Sequence, residues 1–226
     1  MLSSLDTQAL LLSGRLALLT TILLLTFGTP LAWWLARTKL KVRVLIETLL
    51  ALPLVLPPTV IGFYLLLFLG KSGPFTPLAH ALGLASFAFT FEGLLIGSVI
   101  YSAPFVIQPL VQTFRSISQD QLDAAQLMGA DGIDRFFSLI LPISKHGILS
   151  AFALGFAHTL GEFGIILMLG GNIPGETQTA SLSIYDHVES LNYDNAHQLS
   201  LILLTVAFIS LLTVHLANGK TPLDKR

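Results

Sequence analysis

The residues with the greatest capacity for chemistry stand close together: His158 and Glu162, four positions apart in "FAHTLGEFGIILMLGG". On a helix that spacing puts both side chains on one face. An imidazole beside a carboxylate can share a local hydrogen bond, relay protons, or supply part of a hydrolytic or metal site. A hydrolase needs a third partner or a metal-binding cluster, and neither accompanies this pair. The other histidines, His80, His146, His187, His197 and His215, are scattered, and cysteine is absent. No metal site, thiol nucleophile, disulfide frame or cofactor is therefore expected. "GKS" at 70–72 has the ending of a phosphate-binding loop, but the earlier glycine would fall at Leu65. The chain is expected to be no enzyme, and any ATP must be handled by a partner.

The surroundings of the pair decide what it can do. The chain of 226 residues is 53% hydrophobic and 11% charged, against about 25% charged in soluble proteins. Roughly 20 apolar residues cross a bilayer as a helix, and five stretches qualify: about 12–36, 45–69, 88–112, 143–169 and 198–217. The apolar residues run on without alternating, which argues against a membrane barrel. The first run is too long for a signal peptide and is expected to be retained. An all-α integral membrane protein follows, with one domain over 10–215 and a short tail, 216–226, expected to be cytoplasmic.

Net charge is −1, which makes no case for nucleic acid, so the placement of the charges matters more. Arg37, Lys39, Lys41 and Arg43 occupy the first connection, Arg115, Arg135 and Lys145 flank the third, and Lys220, Lys225 and Arg226 end the chain. The second connection has only Lys71 and the fourth, about 170–197, has none. The positive-inside rule puts the amino terminus outside and the carboxyl terminus in the cytoplasm.

Within the spans, Pro53, Pro57 and Pro58 remove backbone donors from "ALPLVLPPTVIGFYLL". Two readings stand: a broken helix beside a cavity, or a kink packed against neighbours. Gly93 and Gly97, and the series Gly147, Ala151, Gly155 and Thr159, mark close helix contacts, either inside one chain or against a second copy. Gly161 and Gly164 flank Glu162, so 156–170 is either one straight helix or a broken one.

The loop "SISQDQLDAAQLMGADGIDRFFSLILPISKHG" is polar yet strongly specified. Ser118 and Gln121 stand in capping-box relation, Asp120 adds first-turn charge, and Gly129 can end the helix in a left-handed conformation. The spacing predicts a helix of about ten residues, followed by a second one started by Asp131 and Asp134. Ala124 and Ala125, next to Asp123, leave the helix surface open to close approach by another protein.

This loop resembles the "EAA" loop of type I ABC-transporter permeases. Asp123, Ala124, Ala125, Gly129, Leu139, Leu141 and Pro142 match its spacing, with Asp123 in place of Glu and Leu139 in place of Ile. "LPLVLPPTVIGFYLL" and "LGEFGIILMLGGNIPGETQT" are similar to signature stretches of molybdate ABC-transporter permease subunits, and the likeness spans roughly 10–215. The resemblance implies a homodimeric channel subunit in the cytoplasmic membrane. Two ABC ATPase subunits would dock on the Asp123–Gly129 helix, and an extracytoplasmic oxyanion-binding protein would deliver substrate for transport by alternating access.

A dianion needs donors along its path rather than carboxylates. Thr59, Thr159 and Asn172 are candidates for that path, with His158, Gly161, Glu162 and Gly164 as gate candidates. Glu162 is expected to accept hydrogen bonds from a neighbouring segment and hold the gate in shape. Sulfate or tungstate could replace molybdate, all being tetrahedral dianions. A self-contained secondary transporter is a separate alternative, for which the internal repeats are missing.

Overall fold

The first helix, α1 (Ser4–Arg37), is set by a capping box: the Ser3 hydroxyl accepts from the Asp6 N–H, and the Asp6 carboxylate accepts from the Ser3 N–H. The computed structural model describes residues 3–218, and among these there is no strand. The expected tail charges Lys220, Lys225 and Arg226 lie outside the described residues.

After α1 come α2 (Val42–Val55), α3 (Pro58–Leu69), a short α4 (Thr76–Ala81) and α5 (Phe91–Arg115). Then follow α6 (Gln119–Leu127), α7 (Gly132–Arg135), a π-helical turn (Phe136–Ile140) and α8 (Leu141–Ile143). The described residues end with α9 (Lys145–Leu160), α10 (Gly164–Gly170), α11 (Ala180–Glu189) and α12 (Tyr193–Asn218). Among the described residues three helices, α1, α5 and α12, are long and apolar enough to cross a membrane, or up to five if each of two bent pairs is one span.

The stretch 45–69 is not one rod. α2 and α3 meet at 113°, because Pro57 and Pro58 supply no N–H and Pro58 keeps Pro57 extended at ψ 136°. Pro53 is carried inside α2, while Pro58 opens α3. The stretch 143–169 is interrupted too. Its α9 and α10 are separated at 161–163, and the preceding segment 132–143 turns 71° away from α9.

α1, α5 and α9 form the centre of the bundle, sharing Leu24, Leu35, Val106, Leu110, Phe114 and Ala151. The small residues of α9 face this core. A Cβ on Gly147 would collide with Thr113, and one on Gly155 with Val106. Gly97 of α5 sits against Leu169 of α10, where a Cβ would come within 2.9 Å of a Leu169 methyl. These positions therefore serve packing within the chain. By contrast, α2 has no buried residue, and α12 exposes Leu204, Phe208 and Ile209. Such faces carry no penalty against lipid tails, which are as apolar as they are.

The loop after α5 is tied to the bundle by Arg37, which donates at 2.9 Å to the carbonyls of both Phe114 and Ile117. The guanidinium lies 4.9 Å from the Trp33 ring. α6 carries the capping box of Ser118 and Gln121, and Gly129 follows it at φ +91°. Asp131 caps α7 by accepting from the Asp134 N–H at 2.8 Å. The wide π turn precedes Pro142, whose ring cannot continue the α-helical bonding pattern.

Candidate gate site

α9 stops at Leu160 because the chain tightens there: the Gly161 N–H donates to the His158 carbonyl at 3.2 Å and the Glu162 N–H to the Thr159 carbonyl at 3.3 Å. Phe163 leaves helical geometry at φ −127°, and α10 restarts at Gly164. The glycines permit close contact with α3. A Cβ on Gly164 would lie 3.0 Å from the Pro58 Cβ, and one on Gly62 2.8 Å from the Met168 Cβ.

Within this break the Glu162 side chain turns toward α5 and is buried, at 4% exposure. Ser98 Oγ donates to Oε2 at 2.5 Å and Ser102 Oγ to Oε1 at 2.6 Å. The two serines stand four apart on one face of α5, so the carboxylate is held across two helices. The expectation that Glu162 accepts hydrogen bonds from a neighbouring segment matches this geometry. Its main-chain carbonyl is also engaged, accepting from the Ser181 hydroxyl of α11.

His158 does not bond Glu162 directly. Its Nδ1 is 3.6 Å from the carboxylate, and Ser102 Oγ stands between them, 2.9 Å from Nδ1. The direct His–Glu bond read from the spacing is thus replaced by a serine bridge, because the helix ends before Glu162 and swings its side chain toward α5. The imidazole stacks on Phe105, with ring centroids 3.7 Å apart, and lies 5.1 Å from Tyr101.

A cleft of about 440 Å³ opens beside the break, walled by Pro58, Thr59, Tyr101, His158, Gly161 and Glu162 and continuing along Phe163, Gly164, Leu167 and Met168. Of the two readings of the prolines, the broken helix beside a cavity is the one present. Pro53 lines a different, apolar cleft with Phe27 and Ile100. Thr59, His158, Gly161, Glu162 and Gly164 come together here. Thr159 is buried behind them, 2.8 Å from Ser102 Oγ. Asn172 stands apart: it adopts φ +55° and its amide donates to both oxygens of Asp186 at 2.9 Å, bracing the approach to α11.

Ser98 and Ser102 are functional neighbours of Glu162 that carry one sequence signal, their i, i+4 spacing in "GSVIYSAPF". Tyr101 and Phe105 carried no such signal. Nor did the cluster at the far end of α11, where Asp6 accepts from Ser183 at 2.7 Å and lies 2.8 Å from His187 Nε2.

The second predicted site lies on the loop. Asp123 and Ala124 are exposed and Ala125 half-buried, with Asp123 accepting from Gln119 at 2.8 Å. Leu139 and Leu141 are half-buried and Pro142 exposed. Leu127 and Met128, at the end of α6, are 89% and 88% exposed.

Comparison with known proteins places this geometry in context. A family model described as "Binding-protein-dependent transport system inner membrane component" matches residues 28–219. The chain is 48% identical over 214 residues to the molybdenum transport system permease protein ModB of Azotobacter vinelandii, covering 95% of each chain. It is 33% identical over 206 residues to the ModB protein of Escherichia coli strain K12, covering 91% of this chain and 90% of that one. A solved bacterial ABC transporter involved in alginate import shares the fold, with a TM-score of 0.75 and 20% identity over 96% of this chain and 79% of that chain.

Proposed function

Starting from the fact that the chain belongs to the family of binding-protein-dependent transport system inner membrane components, we propose that it is the permease subunit of an ATP-driven molybdate importer. It is a multi-pass protein of the cytoplasmic membrane. The observation that carries the substrate is the 48% identity to a molybdenum transport permease along 95% of both chains.

In this reading the chain moves an anion and catalyses no bond chemistry. Two copies face each other around the path, with amino termini outside and carboxyl termini in the cytoplasm, and 10–215 forms the transmembrane domain. Two cytoplasmic ATPase subunits dock on α6. Supporting this, α6 presents the small Ala124 and Ala125 beside Leu127 and Met128, apolar side chains almost fully exposed in a segment too polar for lipid. Leu139, Leu141 and Pro142 connect that surface to α9.

The gate is the break at 161–163. Thr59 and His158 line the cleft beside it, Gly161 and Gly164 let the backbone bend, and Glu162 braces the bend against α5. An extracytoplasmic binding protein delivers the oxyanion on the side of α11, and ATP-driven closure of the loops is transmitted along α9 to the break.

The test is ATP-dependent anion uptake into vesicles containing the permease, its ATPase and its binding protein, with molybdate, tungstate and sulfate in competition. Molybdate uptake that requires ATP is expected. Uptake persisting without the ATPase, driven by an ion gradient, would instead identify a self-contained secondary transporter, and preference for sulfate would reassign the substrate.

A further inference from the structure

The hydrogen bonds around Ser102 constrain the tautomer of His158, which lines the cleft. Ser102 Oγ has one proton and two lone pairs, and three partners surround it: Glu162 Oε1 at 2.6 Å, Thr159 Oγ1 at 2.8 Å and His158 Nδ1 at 2.9 Å. With Glu162 ionised, the serine proton goes to the carboxylate. Both lone pairs must then accept, one from the Thr159 hydroxyl and one from an Nδ1–H of His158. A neutral imidazole protonated on Nδ1 leaves Nε2 as a bare acceptor.

One additional proton reverses that edge by either of two routes. Placed on His158, it makes an imidazolium whose Nε2–H donates into the cleft. Placed on Glu162, it lets the carboxylic acid donate to Ser102, which then donates to Nδ1 and leaves the proton of His158 on Nε2. Each route also removes the net negative charge of the pair. The titratable groups lining the cleft are Tyr101, His158 and Glu162, while the α3 side contributes Pro58 and Thr59, which do not titrate. Stacking on Phe105, with Tyr101 tilted at 45° beside it, fixes the plane of the ring.

Resting on the permease reading above, we infer that the Nε2 edge of His158 is the cleft's contact for the passing oxyanion, and that it becomes a donor only when the His158–Ser102–Glu162 relay holds one extra proton. A dianion in the cleft favours that protonation by Coulomb attraction, and is repelled by the unprotonated pair. Glu162, a negative charge beside an anion's path, thereby acts as a positioning residue that sets the polarity of the histidine.

The experiment measures molybdate uptake and ATP hydrolysis by the complete transporter in proteoliposomes between pH 5.5 and 8.5, with the binding protein saturating. Wild-type uptake per ATP hydrolysed is expected to fall as pH rises. The His158→Gln variant, whose amide carries an N–H at every pH, should transport with a flattened profile. His158→Leu should lower uptake per ATP by roughly tenfold or more, the usual consequence of losing a hydrogen bond to a charged group. Co-purification of each variant with the ATPase checks assembly, and His158→Gln keeps the inference testable if His158→Leu fails to fold. Absence of ATP-dependent uptake in wild type would overturn the permease reading itself. Wild-type uptake with His158→Leu equally active, or with His158→Gln retaining the full pH dependence, would leave that reading intact and overturn the histidine's role.

Discussion

The Ser181 hydroxyl donates to the main-chain carbonyl of Glu162, joining helix α11 to the break in the span. α11 is itself anchored to the start of α1: the Ala180 N–H donates to Ser13 Oγ at 2.8 Å, and Ser183 and His187 meet Asp6. The carbonyl that Ser181 satisfies is one that the interrupted helix leaves without its usual partner. Ser181→Ala is expected to cost about 1 kcal/mol and to reduce uptake several-fold while assembly persists. Thermal unfolding in detergent and vesicle uptake measure the two effects.

Glu162→Gln should keep partial transport, whereas Glu162→Leu should fail. An amide still accepts from one serine and donates to the other, but leucine leaves the buried Ser98 hydroxyl without its acceptor, at about 1–3 kcal/mol, and removes one of the three partners of Ser102. Equal uptake by the two variants would refute the bracing role.

Ala125→Arg and Gly129→Pro are expected to abolish co-purification with the ATPase while leaving membrane insertion intact. The first adds bulk to the surface offered by α6. The second places proline at φ +91°, which its ring forbids. Recovery of normal complex from either variant counts against docking through α6.

Gly147→Val should destabilise the bundle by at least the 1–3 kcal/mol typical of overpacking, since its side chain would enter the space of Thr113. Gly14, which has open space around its Cβ position, provides the contrast: Gly14→Ala should leave the melting temperature unchanged or raise it slightly.

The apolar stretches and the loop were legible because they depend on local physics. Twenty apolar residues in a row have few alternatives to a membrane helix. Ser118, Gln121 and Gly129 specify the ends of α6 through bonds spanning a few residues, and the helix appears with those caps. The prolines announced an irregular helix, broken or kinked, since a missing N–H is a property of the residue. They did not announce a bend of 113° between α2 and α3, which depends on what each half packs against.

Glu162 shows where sequence reading ends. Its burial, and the glycines that would let the chain bend beside it, could be read directly. The sequence by itself determined that a carboxylate in such a run must have partners, because an unpaired charge is too costly in hydrocarbon. Only the tertiary structure decided which ones: Ser98 and Ser102, from 60 or more positions away. The same is true of His158, whose i+4 neighbour looked like its partner until the broken helix turned Glu162 aside and put Ser102 between them. Helical periodicity relates residues along one rod, but the direction of a side chain past the end of that rod depends on the neighbouring helix that receives it.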